Sequence, residues 1–135
     1  MSIEPLTILG CGFTGTAAAV RALAAGRPVR ATVRTEEAAR TLRLIGAAVT
    51  VAQSLVEGAD VLVTFPPDRV TDQAIAGTLR GARSAVYVSS TGVYGERVGV
   101  IDEETPTDAR DPKAALRLAA ETTWRRSGAT ALRAA

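Results

Sequence analysis

The residues best suited to chemistry are three glycines in segment 10–15, which reads Gly-Cys-Gly-Phe-Thr-Gly. The apolar run 6–9 precedes the segment and an alanine-rich stretch follows it, so we expect a strand, a tight turn and a helix. In such a turn Gly10 permits the change of direction, Gly12 lets the backbone approach a pyrophosphate, and Gly15 lets the helix pack closely on the strand. The amides of the first helical turn then face the phosphates, although a glycine-rich turn without a ligand is the alternative. The predicted contacts are Gly10, Gly12, Phe13, Thr14 and Gly15.

The end of the second predicted strand indicates which dinucleotide would fit. An NAD site has an acidic residue there, about 20 residues after the glycines, to bind the ribose 2′-hydroxyl. Here the strand ends in Arg34 and Thr35. The guanidinium suits a 2′-phosphate and the threonine can donate a hydrogen bond beside it, which favours NADP. A solvated surface arginine is the alternative, and Glu36 and Glu37 keep NAD open because either could reach the ribose.

The fourth predicted strand ends in the sequence Thr-Phe-Pro-Pro at residues 64–67. Ligands of open α/β sheets bind at the carboxyl ends of the strands, and proline gives a rigid rim because its φ is fixed. We therefore expect Phe65 and Pro66 to bound the cofactor slot. An ordinary strand-to-helix turn explains the same residues equally well.

The composition excludes several classes of function. The 135 residues contain no histidine and one cysteine, which excludes a Ser-His-Asp triad and an internal disulfide and gives no metal site. The net charge of +2 comes from scattered arginines, so no nucleic-acid partner is expected. No apolar run reaches membrane-span length and no signal peptide is visible, which favours the cytoplasm and no membrane partner.

Short Val/Ile/Leu-rich runs alternate with helical stretches, which predicts a parallel α/β sheet in one domain, 1–135. The predicted strands are 6–9, 29–33, 48–51, 60–65, 84–89 and 129–132. The predicted helices are 14–25, 36–44, 69–79 and 112–126, with a turn or two of helix at 54–57 and a long loop at 90–110.

Segment 87–95, Tyr-Val-Ser-Ser-Thr-Gly-Val-Tyr-Gly, follows the fifth strand. Together with the glycine turn and Arg34, it resembles the extended and atypical branches of the short-chain dehydrogenase/reductase superfamily, above all the NAD(P)-dependent epimerase/dehydratase-like proteins. Segments 102–106 and 118–121 extend the resemblance over essentially the whole chain. It implies a doubly wound parallel Rossmann sheet of about six strands, order 3-2-1-4-5-6, that binds NAD(P). Such relatives continue into a substrate-binding subdomain that is largely absent here.

The resemblance also implies roles for the residues after the fifth strand. In the superfamily a Ser or Thr at this place hydrogen-bonds the reacting oxygen, and the match puts Ser90 there with Thr91 as a neighbour. Ser89 is expected near the cofactor.

The superfamily's Tyr-x-x-x-Lys pair on the following helix aligns with Lys113 and Arg117. The spacing is kept, but the phenol is lost because lysine stands at the place of the tyrosine. By resemblance Tyr94 matches a structural tyrosine of the loop, so it is not assigned the proton transfer. Arg117 could hold ribose hydroxyls, and Lys113 could take part in proton transfer only if its pKa fell toward neutrality. The alternative is that Lys113, Arg117 and Glu121 form one solvated, salt-bridged face of the helix.

The leading interpretation is an NADP(H)-binding protein of oxidoreductase or epimerase type that transfers hydride at a carbonyl or sugar-like substrate. The alternative is a non-catalytic NADP(H)-binding sensor or partner-binding module, suggested by the lost phenol and the missing substrate region. The chain as a fragment of a longer protein is a third interpretation. Apolar surface left bare by the missing region predicts a homo-oligomer.

Overall fold

The computed structural model describes residues 3–50 and 56–135, with the side chain of Thr50 left out. Its centre is a six-stranded sheet in the order β3-β2-β1-β4-β5-β6, in which every neighbouring pair is parallel. The strands are β1 (Leu6–Leu9), β2 (Val29–Thr32), β3 (Ala48–Thr50), β4 (Asp60–Val63), β5 (Ser84–Ser90) and β6 (Thr130–Ala134). The helices are α1 (Phe13–Ala24), α2 (Glu36–Leu44), α3 (Arg69–Ala76) and α4 (Pro112–Arg126), with 3₁₀ helices at Gly77–Gly81 and Thr91–Tyr94. This is the predicted doubly wound Rossmann-like fold with the predicted strand order.

Two apolar clusters cover the two faces of the sheet. One joins Ile8 of β1 to Ala19 of α1 and Leu42 of α2, all of them buried. The other cluster contains Trp124 of α4, which is completely buried. The Trp124 ring stacks on Tyr87 with centroids 5.8 Å apart, so β5 and α4 are fixed together through aromatic contact.

Local signals account for the elements that agree best with the sequence. Helix α2 has the predicted bounds, and the Thr35 side chain accepts a hydrogen bond from the amide of Ala38 at 3.2 Å, as a helix N-cap does. Helix α4 begins at Pro112 after Asp111, whose carboxylate accepts from the amides of Lys113 and Ala114.

Other bounds differ from the predicted ones. Strand β4 ends at Val63, two residues early, although the amide of Thr64 still donates to the carbonyl of Leu9 at 3.1 Å. The two prolines that follow Phe65 have no N–H with which to continue the ladder. Helix α3 ends at Ala76 and gives way to the 3₁₀ helix Gly77–Gly81. The start of the predicted 90–110 loop is also a 3₁₀ helix, Thr91–Tyr94. Predicted residue 51 of the third strand, and residues 54 and 55 of the short turn, lie outside the described residues.

Within the described ranges, no helix combines the length and hydropathy that crossing a bilayer requires. Two apolar side chains of the long loop, Val98 and Val100, are fully exposed. The oligomeric state stays a prediction.

Candidate functional site

The carboxyl ends of β1, β2 and β4 meet at one edge of the sheet, where a crevice of about 390 Å³ opens. It lies at the switch point of the strand order, the usual ligand-binding place in such sheets. The structure brings together there every predicted cofactor contact except Gly15 and Ser89. The lining residues are Gly10, Cys11, Gly12, Phe13, Thr14, Val33, Arg34, Thr35, Ala38, Thr64, Phe65 and Pro66.

The turn between β1 and α1 depends on glycine at two positions for different reasons. Gly10 has a φ of +72°, and a Cβ there would lie 2.5 Å from the Cβ of Phe65. A Cβ on Gly15 would lie 2.9 Å from Oγ1 of Thr64 and 3.0 Å from Cγ2 of Ile8. The first glycine therefore permits the turn and the second permits close packing of α1 on the sheet, as the motif predicts.

Gly12 differs from both, because a Cβ there would meet no atom within 4 Å. It is the N-cap of α1 and offers no side chain to the first turn. No group in the described part of the chain accepts a hydrogen bond from the amides of Phe13 and Thr14. The crevice thus exposes unpaired helix N-terminal amides, the arrangement that binds phosphate groups.

Arg34 lines this crevice and also a second cavity of about 320 Å³ beside Phe65 and Asp68. Its side chain forms no hydrogen bond or salt bridge with any described residue. A hydrogen bond from Thr71 lowers the pKa of the Asp68 carboxyl, and the positive charge of Arg34 adds to that effect. Glu36, which could have served an NAD ribose, is instead paired with Arg43 at 2.9 Å.

A further cavity of about 330 Å³ opens at the carboxyl end of β5 and is lined by Ser90, Lys113 and Arg117 together with Pro67, Gly92 and Leu116. Three of the four predicted catalytic residues therefore share one pocket. Thr91 does not join them, since it lines a separate cavity with Tyr94 and Arg133.

The Ser90 hydroxyl is held at the start of the 3₁₀ helix Thr91–Tyr94. Its oxygen accepts a hydrogen bond from the amide of Gly92 at 3.1 Å. The hydroxyl hydrogen has no described acceptor, so Ser90 can donate it to a ligand oxygen.

Ser89 is turned away from both cavities, toward helix α4. Its hydroxyl is buried and donates to Oε1 of Glu121 at 2.6 Å. Two nitrogens of Arg133 also donate to the Glu121 carboxylate, each at 2.9 Å. The same guanidinium donates to the hydroxyl of Tyr94 at 2.9 Å. This cluster ties β5, α4, β6 and the end of the 3₁₀ helix Thr91–Tyr94 together.

The expectation of a solvated Lys113–Arg117–Glu121 face is wrong for Glu121, whose residue exposure is 2%. Burial acts to raise the pKa of Glu121, but hydrogen bonds from Arg133 and Ser89 outweigh it and the pKa is lowered. An arginine inside the apolar run of the last strand is the sequence signal that could have pointed to a buried acidic partner.

A second buried polar group that the sequence did not reveal lies between α3 and α4. The carboxylate of Asp72 accepts from Nε1 of Trp124 at 3.0 Å and from the amide of Asp68 at 3.1 Å. The only signal in the sequence is the lone tryptophan, because a buried indole N–H requires an acceptor. Burial raises the pKa of Asp72 despite these donors.

The described residues contain no group of three or more His, Cys, Asp or Glu side chains that could hold a metal ion.

Comparison with known families gives one match, to the family described as NADP oxidoreductase, coenzyme F420-dependent, over residues 5–94. This span contains the glycine turn, Arg34 and Ser90, but not Lys113 or Arg117. Among curated proteins, none matches the chain significantly.

Solved structures match the fold over nearly the whole chain. A conserved protein of unknown function from Silicibacter pomeroyi is 23% identical with a TM-score of 0.81, covering 96% of this chain and 52% of its own. The UDP-glucuronic acid 4-epimerase from Bacillus cereus, solved with NAD, is 14% identical with a TM-score of 0.79, covering 96% and 56%. A UDP-glucose 4-epimerase from Stenotrophomonas maltophila, also with NAD, is 17% identical with a TM-score of 0.77, covering 96% and 52%. The chain therefore spans about half the length of these structures.

Proposed function

The chain belongs to the family described as NADP oxidoreductase, coenzyme F420-dependent, and from this premise we propose that its crevice binds NADP(H). The observation that carries the proposal is the unpaired guanidinium of Arg34 in the same crevice as the open turn at Gly12. We further propose that residues 1–135 act as one dinucleotide-binding domain.

The residues present fit the two anionic parts of this cofactor. The amides of Phe13 and Thr14 would hold the pyrophosphate, and Phe65 and Pro66 would bound the slot. Arg34 holds the 2′-phosphate, and Thr35 still has its hydroxyl hydrogen to donate, because its oxygen only accepts from Ala38. The pairing of Glu36 with Arg43 occupies one of the two carboxylates considered for a ribose hydroxyl, and Glu37 remains for NAD. The donors of Arg34 and Thr35 are the ground on which we propose NADP in preference to NAD.

We propose an activity of oxidoreductase or epimerase type. A bound nicotinamide supplies or accepts hydride, and the protein orients the carbonyl or alcohol that reacts with it. Ser90, with its hydroxyl hydrogen unused, donates to the substrate oxygen. The epimerases of like fold, which were solved with NAD, support the general class of reaction.

A non-catalytic NADP(H)-binding module is the second candidate, and the two phenols near the site favour it. Both Tyr87 and Tyr94 are buried, and each is hydrogen-bonded to an arginine, Arg117 and Arg133 respectively. Burial raises the pKa of Tyr87 despite the nearby guanidinium, which disfavours its use in proton transfer.

Titration of the protein with NADPH and with NADH, followed by nicotinamide fluorescence, tests the binding proposal. We expect NADPH to bind more tightly than NADH because only NADPH carries the phosphate that Arg34 contacts. Failure of both dinucleotides to bind in the millimolar range would refute the proposal. Oxidation of NADPH across a panel of carbonyl compounds that is lost in Ser90→Ala would exclude the non-catalytic candidate.

Two glycine substitutions separate folding from binding. Gly10→Ala is expected to lower the free energy of unfolding by about 2 kcal/mol, since alanine disfavours positive φ and its Cβ collides with Phe65. Gly12→Ala should leave stability nearly unchanged, because its Cβ meets open space, yet weaken NADPH binding by crowding the pyrophosphate. Denaturant unfolding and NADPH titration of both variants give the two readouts. Equal NADPH affinity in wild type and Gly12→Ala would place the pyrophosphate elsewhere.

A further inference from the structure

We propose that the cavity lined by Ser90, Lys113 and Arg117, here called the anion pocket, binds the carboxylate or phosphate group of a negatively charged substrate. The inference rests on the proposed function in one respect, that the pocket lies beside the dinucleotide crevice. Phe65 and Pro66 line the crevice and the next residue, Pro67, lines the anion pocket. Segment 65–67 therefore contributes residues to both cavities.

The charge of the pocket is the first argument. Lys113 and Arg117 lie one turn apart on α4, and no carboxylate is among the lining residues. Neither side chain forms a salt bridge with a carboxylate of the described residues. The two other half-buried arginines each form a salt bridge, Arg27 with Asp60 and Arg133 with Glu121. Arg117 is half-buried and forms no salt bridge with any described residue, so its guanidinium has N–H donors left for an anionic ligand.

The second argument is that a hydrogen bond to a buried side chain restricts the position of Arg117. Its Nη1 donates to the hydroxyl of Tyr87 at 3.3 Å, and Tyr87 is fully buried against Trp124. Burial raises the pKa of both Tyr87 and Asp72, and the positive charge of Arg117 partly offsets that rise in each. The contact with Tyr87 uses one of five N–H donors and limits the freedom of the side chain, so the remaining donors are available at little entropic cost.

The third argument is the donor pattern of the lining. The ammonium of Lys113 and the guanidinium of Arg117 offer donors only, and an acceptor-rich oxyanion is the group that satisfies them. With the anionic group on Lys113 and Arg117, Ser90 remains for the reacting oxygen. The substrate class is therefore a carbonyl or hydroxy compound that carries a carboxylate or phosphate group, and the two cations act in binding rather than in proton transfer.

Amide NMR shifts of the NADP⁺-saturated protein test the inference with three probes: malonate, inorganic phosphate and neutral malonamide. Saturation with NADP⁺ keeps the probes out of the dinucleotide crevice. We expect malonate or phosphate to shift the amides of Lys113 and Arg117 in the millimolar range, and malonamide to leave them unchanged. The probe that binds more tightly identifies the anionic group as carboxylate or phosphate.

Substitutions assign the shifts to the pocket. Arg117→Gln is expected to weaken anion binding about tenfold, the value of one charge-assisted hydrogen bond. Lys113→Gln, on an exposed side chain without a partner, is a second variant that should fold normally and weaken binding in the same direction. Arg126→Gln removes a charge from the exposed end of the same helix and should have no effect.

Three results would overturn the inference. They are no shift with either anion, equal affinity in wild type and both pocket variants, or a malonamide response equal to that of malonate. Failure of the proposed function is recognised separately, because NADP⁺ binding is measured first at the amides of Gly12 and Thr14. If NADP⁺ does not bind, the same anion titration on the free protein still decides whether the pocket binds anions.

Discussion

Replacing Glu121 by glutamine is expected to lower the free energy of unfolding by about 3 kcal/mol, as loss of one partner from a buried ion pair does. The carboxylate is 2% exposed and accepts from Arg133 through two nitrogens at 2.9 Å each. Without the carboxylate, the guanidinium of Arg133 is still largely removed from water but has lost its counterion. The hydroxyl of Ser89 also loses an ionised acceptor at 2.6 Å. Urea unfolding of wild type and Glu121→Gln measures the difference.

Arg125→Gln is the matched control because Arg125 approaches the same carboxylate. Its side chain is 53% exposed and the closest approach is 3.7 Å. An exposed pair of this kind contributes at most about 1 kcal/mol, so this variant should be nearly as stable as wild type. If both variants lost the same free energy of unfolding, the buried pair of Glu121 with Arg133 would not be the source of the loss.

A double substitution tests whether the stability lost in Glu121→Gln comes from the unpaired buried charge of Arg133 or from a change in the packing of the 3₁₀ helix Thr91–Tyr94. Glu121→Met combined with Arg133→Met removes both charges and should recover part of the stability lost in the single variant, since two apolar side chains of similar size replace the pair. Recovery stays incomplete because the hydroxyls of Ser89 and Tyr94 lose their partners. No recovery would mean that the pair is needed to hold the 3₁₀ helix Thr91–Tyr94 in place.

The sequence predicts the parts of this molecule that short-range rules control. The β1–α1 turn is one, since the spacing of its glycines in the motif predicts the strand, turn and helix, and Gly10 takes the positive φ that the turn requires. Helix α2 is another, with Thr35 as its cap and Glu36 in its first turn. The family resemblance predicts the strand order, which is confirmed, whereas no single segment shows it because it is a property of the whole sheet.

Short-range rules do not predict the hydrogen bonds of Glu121 with Ser89 and Arg133. The i,i+4 spacing of Glu121 from Arg117 is the spacing of a surface charge ladder, and nothing local shows that α4 turns this residue inward. The register of β5 on β6 places Ser89 opposite Arg133, and Glu121 binds both side chains. That register is set by packing over many residues, so a contact built on it cannot be read from one segment.

The same reasoning applies to the placement of the two residues that follow Ser89. Ser90 and Thr91 are consecutive and chemically alike, and sequence alone gives no reason to separate them. Ser90 is the last residue of the strand and Thr91 the first of the 3₁₀ helix, so their side chains line different cavities. The change of backbone conformation between them is what the sequence does not show.

Reversing the charge at Arg34 is expected to weaken NADPH binding about 100-fold, because Arg34→Asp removes a charge-assisted contact and adds repulsion toward the 2′-phosphate. NADH lacks that phosphate, so its affinity should change little. The guanidinium forms no salt bridge with any described residue and its side chain is exposed, so we expect the variant to fold normally. Dinucleotide fluorescence titrations of wild type and variant measure both affinities.

Arg40→Asp makes the same change of charge on the exposed face of α2, outside the residues that line the crevice. It should lower NADPH affinity only slightly and only at low salt, because a surface charge acts through a screened field. If both variants lost the same NADPH affinity, Arg34 would act only through general electrostatic attraction and would not contact the 2′-phosphate. Unchanged NADPH affinity in Arg34→Asp would separate the guanidinium from the 2′-phosphate, and the preference for NADP would then have no basis in this crevice.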